Sequence, residues 1–398
     1  MGVLRTLLAL LVACGHIKPL SGDAFRFLTG GGIFAVKAFF IISGFYMALI
    51  VDTRYKSRPV WSFYASRLTR LLPLYWIVGA MTVSFESLII PRGQFFHPNS
   101  SPLAYGQGLA PSTLPWPLLL YVGLAVTTTI GLDTGQWLGF GKVNGDLGIA
   151  PNFVPNATSV LALSPVPPAW SIGIELLFYL IAPFVVLRSI GFVFTLAVAS
   201  IAFRLSLASL GFSEDPWDRT LFPAELVYFA VGILSYRLYR RSSELPEGLH
   251  RVLSAAPILV AVVASPLFNG MHRLGIPRLV LEIFPYAIVA AGIPFLFQAT
   301  EDNRVDARIG DLSYPIYIGH LFVFGVIGWA PIDFVAIVGA GWAWVFLEIV
   351  SVVVFAALLD RSIAWPIDKW RQRLGARARD ASNPKEGVLR PAQLGDAR

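Results

Sequence analysis

Arg5 and His16 are the first residues in the chain whose types and spacing could do chemistry. They bracket an apolar run from Thr6 to Gly15. In an α-helix such a separation turns the chain through about 1100° and advances it by about 16 Å, which places both side chains on one face. A histidine can act as a general base near neutral pH, and an arginine can bind an anion. The spacing therefore predicts two ionisable groups at two depths of one helical stripe.

A second candidate set lies in the run from Trp170 to Tyr179. Ser171, Glu175 and Tyr179 recur every four residues, so they line one face of a helix. If the helix spans a membrane, Glu175 lies about 8 Å below its end, where an ionised carboxylate is costly without a partner. Glu175 could belong to a buried ion pair that holds helices together. Alternatively, it could orient or charge a catalytic histidine, as carboxylates do in many acid–base pairs.

Arg67 and Arg70 are a third candidate, three residues apart ahead of an apolar run. On a short helix that enters this run, their guanidinium groups would lie together, and such paired forks suit phosphate or pyrophosphate. Juxtamembrane arginines also anchor cytoplasmic loops without binding any ligand. The spacing alone leaves both interpretations open.

The stripe formed by Ser313, Tyr317 and His320 follows helical spacing late in the chain. These side chains could make hydrogen bonds between helices, each worth about 1 kcal/mol or less in a membrane. We favour this structural interpretation, with a polar cavity wall as the alternative.

The composition requires a membrane. The chain has 398 residues, of which 56% are hydrophobic and 14% charged, with a mean hydropathy of +0.66. These values exclude an ordinary soluble protein. The net charge of +7 does not indicate nucleic-acid binding, because Arg and Lys cluster in short connections between apolar runs, as cytoplasmic loops do.

The single cysteine, Cys14, cannot form an intramolecular disulfide, so cysteine usage leaves the redox compartment open. The run from Leu11 to Cys14 also fits a bacterial lipoprotein cleavage box. We prefer an uncleaved first span, because so loose a pattern recurs by chance in apolar helices.

Apolar runs near twenty residues define the candidate spans. We predict an all-α, polytopic transmembrane bundle of about ten spans with both termini cytoplasmic. The predicted spans are 3–17, 33–51, 71–90, 170–187, 190–210, 221–236, 252–268, 279–297, 312–329 and 334–359. Residues 1–372 would form the transmembrane domain, and 373–398 a basic cytoplasmic tail that is predicted to be disordered.

One further apolar run, Trp116 to Leu132, lies in a segment rich in Pro, Gly and Asn. Placing the basic connections 237–251 and 301–308 and the basic tail inside requires Trp170 to begin outside. The third span also ends outside, so the run should not cross. We predict an interfacial or re-entrant segment in a long outer loop.

Five motifs in order give the chain a family resemblance. It resembles the acyltransferase-3 family of integral membrane O-acyltransferases, which act on sugars of polysaccharides, lipopolysaccharide and related glycoconjugates and, in some members, on macrolides. The motifs are the first-helix Arg5 and His16, the Ser-Gly-Phe of 39–45, the Arg-x-x-Arg followed by Pro and Tyr of 67–75, the Trp-Ser-x-x-x-Glu-x-x-Phe-Tyr of 170–179, and the Ser-Tyr-x-x-Tyr-x-x-His of 313–320.

The resemblance implies that the acyl donor binds on the cytoplasmic side of the bilayer and that the acceptor approaches from the outer side or from a lipid carrier. Cytoplasmic acyl-CoA, most often acetyl-CoA, would be a co-substrate whose phosphates are held by Arg67, Arg70 and Arg5. His16 would be the acid–base residue, supported by Glu175. No bound cofactor and no metal would be needed. Further motif positions would have supporting roles, namely Ser43, Tyr75, Trp170, Ser171, Tyr179, Tyr317 and His320.

The resemblance therefore implies a multi-pass enzyme of the bacterial inner (plasma) membrane that moves an acyl group, most often acetyl, to a glycan or glycolipid. The chain departs from the family at Lys37, where an acidic or polar residue is common. From the short basic segment after Trp370 we also expect no C-terminal esterase-like domain. A polytopic transporter of a small anion or acyl group is the alternative, because intramembrane Arg, His and Glu also mark substrate paths. A third possibility is a structural or signalling membrane protein. The acceptor and the oligomeric state are not predicted.

Overall fold

The computed structural model of this chain describes residues 1–17, 31–89, 116–141, 147–149, 157–212, 216–217, 219–241, 247–273, 278–329 and 341–370. The predicted tail at 373–398 and the first residues of the predicted last span lie outside these ranges. Most of the predicted long outer loop ahead of Trp116 does so too.

Helices dominate the described residues, and each of the predicted spans contains one. In chain order they are α1 (Gly2–His16), α2 (Gly31–Ile50), α3 (Val60–Ile89), α4 (Trp116–Thr128), α5 (Trp170–Val185), α6 (Ile190–Ser209), α7 (Phe222–Tyr239), α8 (Glu247–Arg273), α9 (Arg278–Thr300), α10 (Arg304–Asp311), α11 (Ser313–Trp329) and α12 (Trp342–Leu359). Short π-helical turns continue α2 over Val51–Tyr55 and α12 over Asp360–Ala364.

Seven helical segments of the described chain are long and apolar enough to cross a membrane. Shorter apolar helices occur at α1, at α4 and within α8. The helix α7 is in neither set, since Glu225, Arg237 and its tyrosines lower its hydropathy. Large apolar side chains on α6 and α12, such as Phe194 and Phe346, are exposed, as expected for surfaces that contact lipid. The protein is thus a multi-pass membrane protein.

The helix α3 is longer than the predicted third span. It begins at Val60 and continues to Ile89 through Pro73. Arg67 and Arg70 therefore lie on the same continuous helix as the apolar run, and not on a separate short helix. Because proline has no N–H to donate and its ring disturbs the preceding turn, Pro73 is the position where such a long helix can bend.

The fold is nearly all-α, as predicted, apart from one segment of the predicted outer loop. A small antiparallel sheet follows α4, with β1 (Leu138–Gly141) between β2 (Leu147–Ile149) and β3 (Ala157–Ser159). Its strands are three or four residues long, too short to leave a clear alternating pattern in the sequence.

The apolar run at Trp116 forms α4, a helix of 13 residues. At 1.5 Å per residue it is about 20 Å long, short of the roughly 30 Å hydrocarbon core. Tyr75 and Trp76 on α3 donate hydrogen bonds to the carbonyls of Val126 and Thr127 at 2.7 and 2.8 Å. These two bonds hold the carboxyl end of α4 against α3.

The helices α2 and α7 cross at close range in the centre of the bundle. A Cβ at Gly44 would lie 2.2 Å from the Phe229 carbonyl oxygen, and one at Gly232 would lie 2.0 Å from that of Ile41. Small residues at such a crossing let helix backbones approach in a membrane. The glycine of the Ser43-Gly44-Phe45 motif therefore positions α2, and Ser43 with it.

Candidate active site

Three arginines line a cavity of about 370 Å³. Arg5 reaches it from α1, and Arg67 and Arg70 reach it from α3. The Arg67 side chain is buried, whereas Arg70 is exposed. We call this space the arginine cavity. Further predicted site residues also line it, namely Ser43, Ser171, Glu175, Tyr179 and Tyr317.

The Glu175 carboxylate is held in this cavity by two hydroxyl groups. Its Oε1 accepts hydrogen bonds from Ser43 Oγ at 2.7 Å and from Tyr179 OH at 2.5 Å. Ser171, Glu175 and Tyr179 all line the arginine cavity, so the shared helical face predicted from their spacing is present. Hydrogen bonds to an ionised acceptor are about twice as strong as neutral ones, so this carboxylate is firmly oriented.

Arg5 is held by Ser313, the first residue of the Ser313–Tyr317–His320 stripe. Its Nη2 donates to Ser313 Oγ at 2.9 Å, and that hydroxyl donates to the Gly310 carbonyl at 2.7 Å. Ser313 therefore acts both as the interhelical hydrogen-bond partner that we favoured and as part of a cavity wall.

Asp306 on α10 is a lining residue that the sequence analysis missed. Its carboxylate accepts from the backbone amides of Gly2 at 2.6 Å and Val3 at 2.9 Å. Amides in the first turn of a helix have no intrahelical acceptor, so Asp306 caps α1 and sets the position from which Arg5 enters the cavity. The available signal was an acidic residue on a short, strongly amphipathic segment, which we had assigned to a connection.

A second cavity, of about 390 Å³, contains His16 and Trp170. We call it the histidine cavity. The His16 side chain is exposed into it at the carboxyl end of α1. Charged and polar residues that the sequence analysis did not assign to a site also line it, namely Lys37, Gln136, Arg219 and Glu225.

The histidine at 16 pairs with a second histidine and not with Glu175. His320 Nε2 lies 3.3 Å from His16 Nδ1, and the ring centroids are 5.0 Å apart. His320 is 0% exposed. Glu175 lines the arginine cavity and His16 lines the histidine cavity. The structure therefore does not bring together the catalytic pair that we expected.

Tyr317 and Val36 are the described residues that line both cavities. The Tyr317 hydroxyl is 2.6 Å from Ser171 Oγ and donates to the Pro168 carbonyl at 3.0 Å. It links α11 to the amino-terminal end of α5, where a 3₁₀ turn over Pro167–Ala169 leads into Trp170. Tyr317 is thus a wall residue that separates the two cavities.

A close contact fixes the start of α5. A Cβ at Gly173 would lie 2.4 Å from the Thr129 carbonyl oxygen, and Thr129 has a positive φ of 63°. Asp133, 3% exposed, lies beside this contact, and burial raises the pKa of its carboxyl to about 6. The segment after α4 therefore packs directly on the helix that carries Trp170 and Glu175.

Tyr75 and His320 are the predicted site residues that line neither cavity among the described residues. The Tyr75 hydroxyl donates to the Val126 carbonyl, so its observed contact is structural, whereas His320 lies behind His16. The remaining predicted residues divide between the two spaces. Arginines and the Glu175 set lie in one, and His16 lies in the other with Trp170.

Comparison with known proteins gives one match. The family model described as an acyltransferase domain, that of the acyltransferase-3 family, matches residues 1–361 of the 398-residue chain. No curated protein and no solved structure matches the chain. The matched range includes all five motifs and both cavities. It favours an acyltransferase over the transporter that we kept as an alternative.

Proposed function

The chain belongs to the acyltransferase-3 family, and from that premise we propose that it acylates a hydroxyl group of a glycan. The donor is acyl-CoA, most often acetyl-CoA, and binds in the arginine cavity. The acceptor is a sugar hydroxyl of a cell-envelope or secreted glycan or glycolipid, and binds in the histidine cavity. The observation that carries the proposal is the pair of cavities that meet at Val36 and Tyr317, with three motif arginines in one and His16 in the other.

The donor assignment rests on the charges of the arginine cavity. Arg5, Arg67 and Arg70 converge there from two helices, and guanidinium groups bind phosphate through paired hydrogen bonds. Acyl-CoA carries its phosphates at one end and the thioester at the other. With the phosphates on these arginines, the acyl end points deeper into the bundle, towards Tyr317.

The acceptor assignment rests on the residue types around His16. Trp170 offers an apolar ring face against which a sugar ring can stack, and Gln136 offers an amide for sugar hydroxyls. Lys37, Arg219 and Glu225 add charged groups to the same wall. Aromatic faces beside a few polar groups are common in sites for small polar molecules.

The reaction is a base-assisted transfer of the acyl group. His16 takes the proton from the acceptor hydroxyl as its oxygen attacks the thioester carbonyl. The carbon–oxygen bond forms, the carbon–sulfur bond breaks, and the departing thiolate takes up a proton to become the CoA thiol. His16 then returns to its neutral state, so one proton and one acyl group have moved.

In this scheme Glu175 contributes to the binding of the acyl-CoA donor. Because Ser43 and Tyr179 hold its carboxylate in the arginine cavity, it shapes the channel that the thioester arm occupies and balances the positive charge there. It does not act on His16.

We place the enzyme in the bacterial inner membrane with the arginine cavity open to the cytoplasm, where acyl-CoA is found. The basic residues after α2, such as Arg54 and Arg58, support this orientation. The lipid bilayer is then the solvent of the bundle, and no nucleic acid takes part.

The direct test is acetyl transfer by full-length protein in proteoliposomes. The probes are acetyl-CoA labelled in the acetyl group and a total envelope glycan extract. We expect base-labile label in the glycan fraction with wild-type protein, and a fall of about 10²- to 10⁴-fold with His16→Gln, because a positioned base contributes about that much.

One control variant and two contrary outcomes make the result specific. Arg58→Gln removes a basic residue that stacks on Tyr55 outside both cavities and should leave transfer unchanged. Unchanged transfer by His16→Gln would remove the catalytic assignment. Label that enters the vesicles without forming an ester would support a transporter instead.

A further inference from the structure

His16 has an unexpected neighbour for a catalytic base. Among the described residues, its ring makes hydrogen bonds to the Val12 carbonyl and to His320. A catalytic histidine is usually oriented by a carboxylate or a carbonyl on the ring nitrogen that does not react. Here the imidazole of His320, completely buried on α11, orients His16 together with the Val12 carbonyl.

The hydrogen-bond partners of His320 determine where its proton lies. Its Nδ1 is 2.8 Å from the Tyr317 carbonyl oxygen and 3.3 Å from that of Ile316. A carbonyl oxygen only accepts, so Nδ1 must carry the hydrogen. The Nε2 of the neutral ring then has a free lone pair. This lone pair points to His16.

The same reasoning fixes the proton of His16. Its Nδ1 lies 2.9 Å from the Val12 carbonyl oxygen and 3.3 Å from His320 Nε2. Both neighbours are acceptors, so Nδ1–H is shared between them, as a three-centre bond. The Nε2 of neutral His16 carries no proton and remains available as a base in the histidine cavity.

We propose that His320 is a positioning residue for the base. This proposal rests on the proposed function. The lone pair of His320 Nε2 fixes the ring of His16, and it accepts the hydrogen bond from His16 Nδ1–H when His16 becomes an imidazolium. That charge arises when His16 Nε2 takes the proton of the acceptor hydroxyl, and it disappears when that proton passes to the departing CoA thiolate. His320 gains no proton, because a hydrogen on its Nε2 would face the Nδ1–H of His16.

The pair joins two helices whose relative position matters for transfer. His320 shares α11 with Tyr317, the wall residue between the cavities, and Tyr317 supplies one of the carbonyls that set the tautomer of His320. The orientation of the base is therefore coupled to the same helical turn that separates donor from acceptor.

The kinetic test compares two substitutions at one position in the full-length protein. His320→Phe keeps a ring of similar size but has no acceptor, whereas His320→Gln can place an amide oxygen near the original Nε2. For His320→Phe we expect kcat for acetyl transfer to fall about 10- to 100-fold, the usual effect of removing an outer hydrogen-bond partner. The KM for acetyl-CoA should stay within about twofold of wild type, and His320→Gln should recover much of the kcat.

His250→Gln is the matched control, because His250 bonds Gln298 and lines neither cavity in the described chain. It should behave as wild type. Equal losses in His320→Phe and His320→Gln would overturn the proposal, as would a loss that falls entirely on KM.

Nitrogen NMR of the protein labelled with ¹⁵N-histidine tests the pair without any substrate. We expect a protonated Nδ1 on His16, an unprotonated Nε2 on His320, and magnetisation transfer between these two nitrogens that His320→Phe removes. A proton on His320 Nε2 would overturn the proposal. If wild-type protein transfers no acyl group, the proposed function fails, while these spectra still decide whether the pair exists.

Discussion

The two cavities of this protein differ in how much of their chemistry is visible in the sequence. The arginine cavity collects residues from spaced motifs, including Arg67, Arg70 and the Ser171–Glu175–Tyr179 face. The histidine cavity collects His16 and residues that no motif joined to it, such as Lys37 and Arg219. A site built from one helical face can be found by periodicity, whereas a site built from isolated residues on several elements cannot.

The comparison also separates binding from proton transfer. The three motif arginines and the hydrogen-bonded Glu175 carboxylate lie on one side of Tyr317, and the base with its buried histidine partner lies on the other. Substitutions in the arginine cavity should therefore change donor affinity, while those around His16 should change the chemical step. The following variants test that division, in order of decreasing effect on transfer.

Arg67→Gln should have the largest effect on donor binding. Arg67 is 7% exposed in the arginine cavity, and hydrogen bonds to charged groups contribute about 1.5–3 kcal/mol. We expect the KM for acetyl-CoA to rise about 10- to 100-fold with little change in kcat, measured by initial rates at fixed acceptor. Arg58→Gln, at a half-buried position that lines neither cavity in the described chain, is the control. A fall in kcat at unchanged KM would contradict the division.

Glu175→Gln should have a smaller effect, again on the donor. The amide keeps the shape but weakens the bonds from Ser43 and Tyr179, so we expect the KM for acetyl-CoA to rise about 5- to 10-fold. Glu348→Gln, a buried glutamate that lines neither cavity in the described chain, is the control. A loss of kcat like that of His16→Gln would instead restore Glu175 as the partner of His16.

Tyr317→Phe should affect the separation of the cavities. It removes the bonds to Ser171 and Pro168, each worth about 1 kcal/mol or less in a membrane. We expect transfer to fall about 3- to 5-fold and the ratio of acetyl-CoA hydrolysis to transfer to rise. Free CoA and glycan-bound label are measured together. Tyr64→Phe, which removes a hydroxyl bonded to the Leu180 carbonyl outside both cavities, should leave that ratio unchanged.

Asp133→Asn should leave transfer unchanged and alter stability. Burial raises the pKa of Asp133 from 3.8 to about 6, so folding disfavours the ionised form. The free-energy cost of ionising the buried carboxyl is absent well below pH 3.8, grows as the pH rises from there to about 6, and is complete above that. At pH 7.5 the free energy of unfolding of the variant should therefore exceed that of wild type by up to about 3 kcal/mol. Its thermal midpoint should be correspondingly higher.

The same measurement at pH 4 gives the contrast for Asp133. At this pH the folded carboxyl is protonated and the unfolded one, with a pKa of 3.8, is only about half ionised, so the two proteins should differ much less than at pH 7.5. A constant difference at both pH values would show that the effect is due to shape and not to charge. A loss of transfer activity would mean that the segment after α4 does more than support α5.

Several structural features followed from the sequence because they depend on local spacing. Apolar runs predicted the helices, and the length of the Trp116 run matches a helix too short to cross the bilayer. Four-residue spacing placed Ser171, Glu175 and Tyr179 on one face. The short strands at Leu138 to Ser159 were missed, because three or four residues carry too little pattern.

The structure places Glu175 and His16 in different cavities for a definite physical reason. Helical rise gives the depth of a residue, and both residues have similar predicted depths. Depth does not say which way the helices are rotated about their axes or which neighbour each face meets. The packing of α5 and α11, joined by the Ser171–Tyr317 bond, directs Glu175 into one cavity and leaves His16 in the other.

The sequence by itself determined that this is a membrane acyltransferase with its motifs on helices. Hydrophobic run length, motif order and local periodicity are properties of the chain. Only the tertiary structure decided that these motifs surround two cavities and that His16 meets His320. Such contacts join residues about three hundred positions apart, and they depend on how helices rotate and pack against one another, which local spacing does not specify.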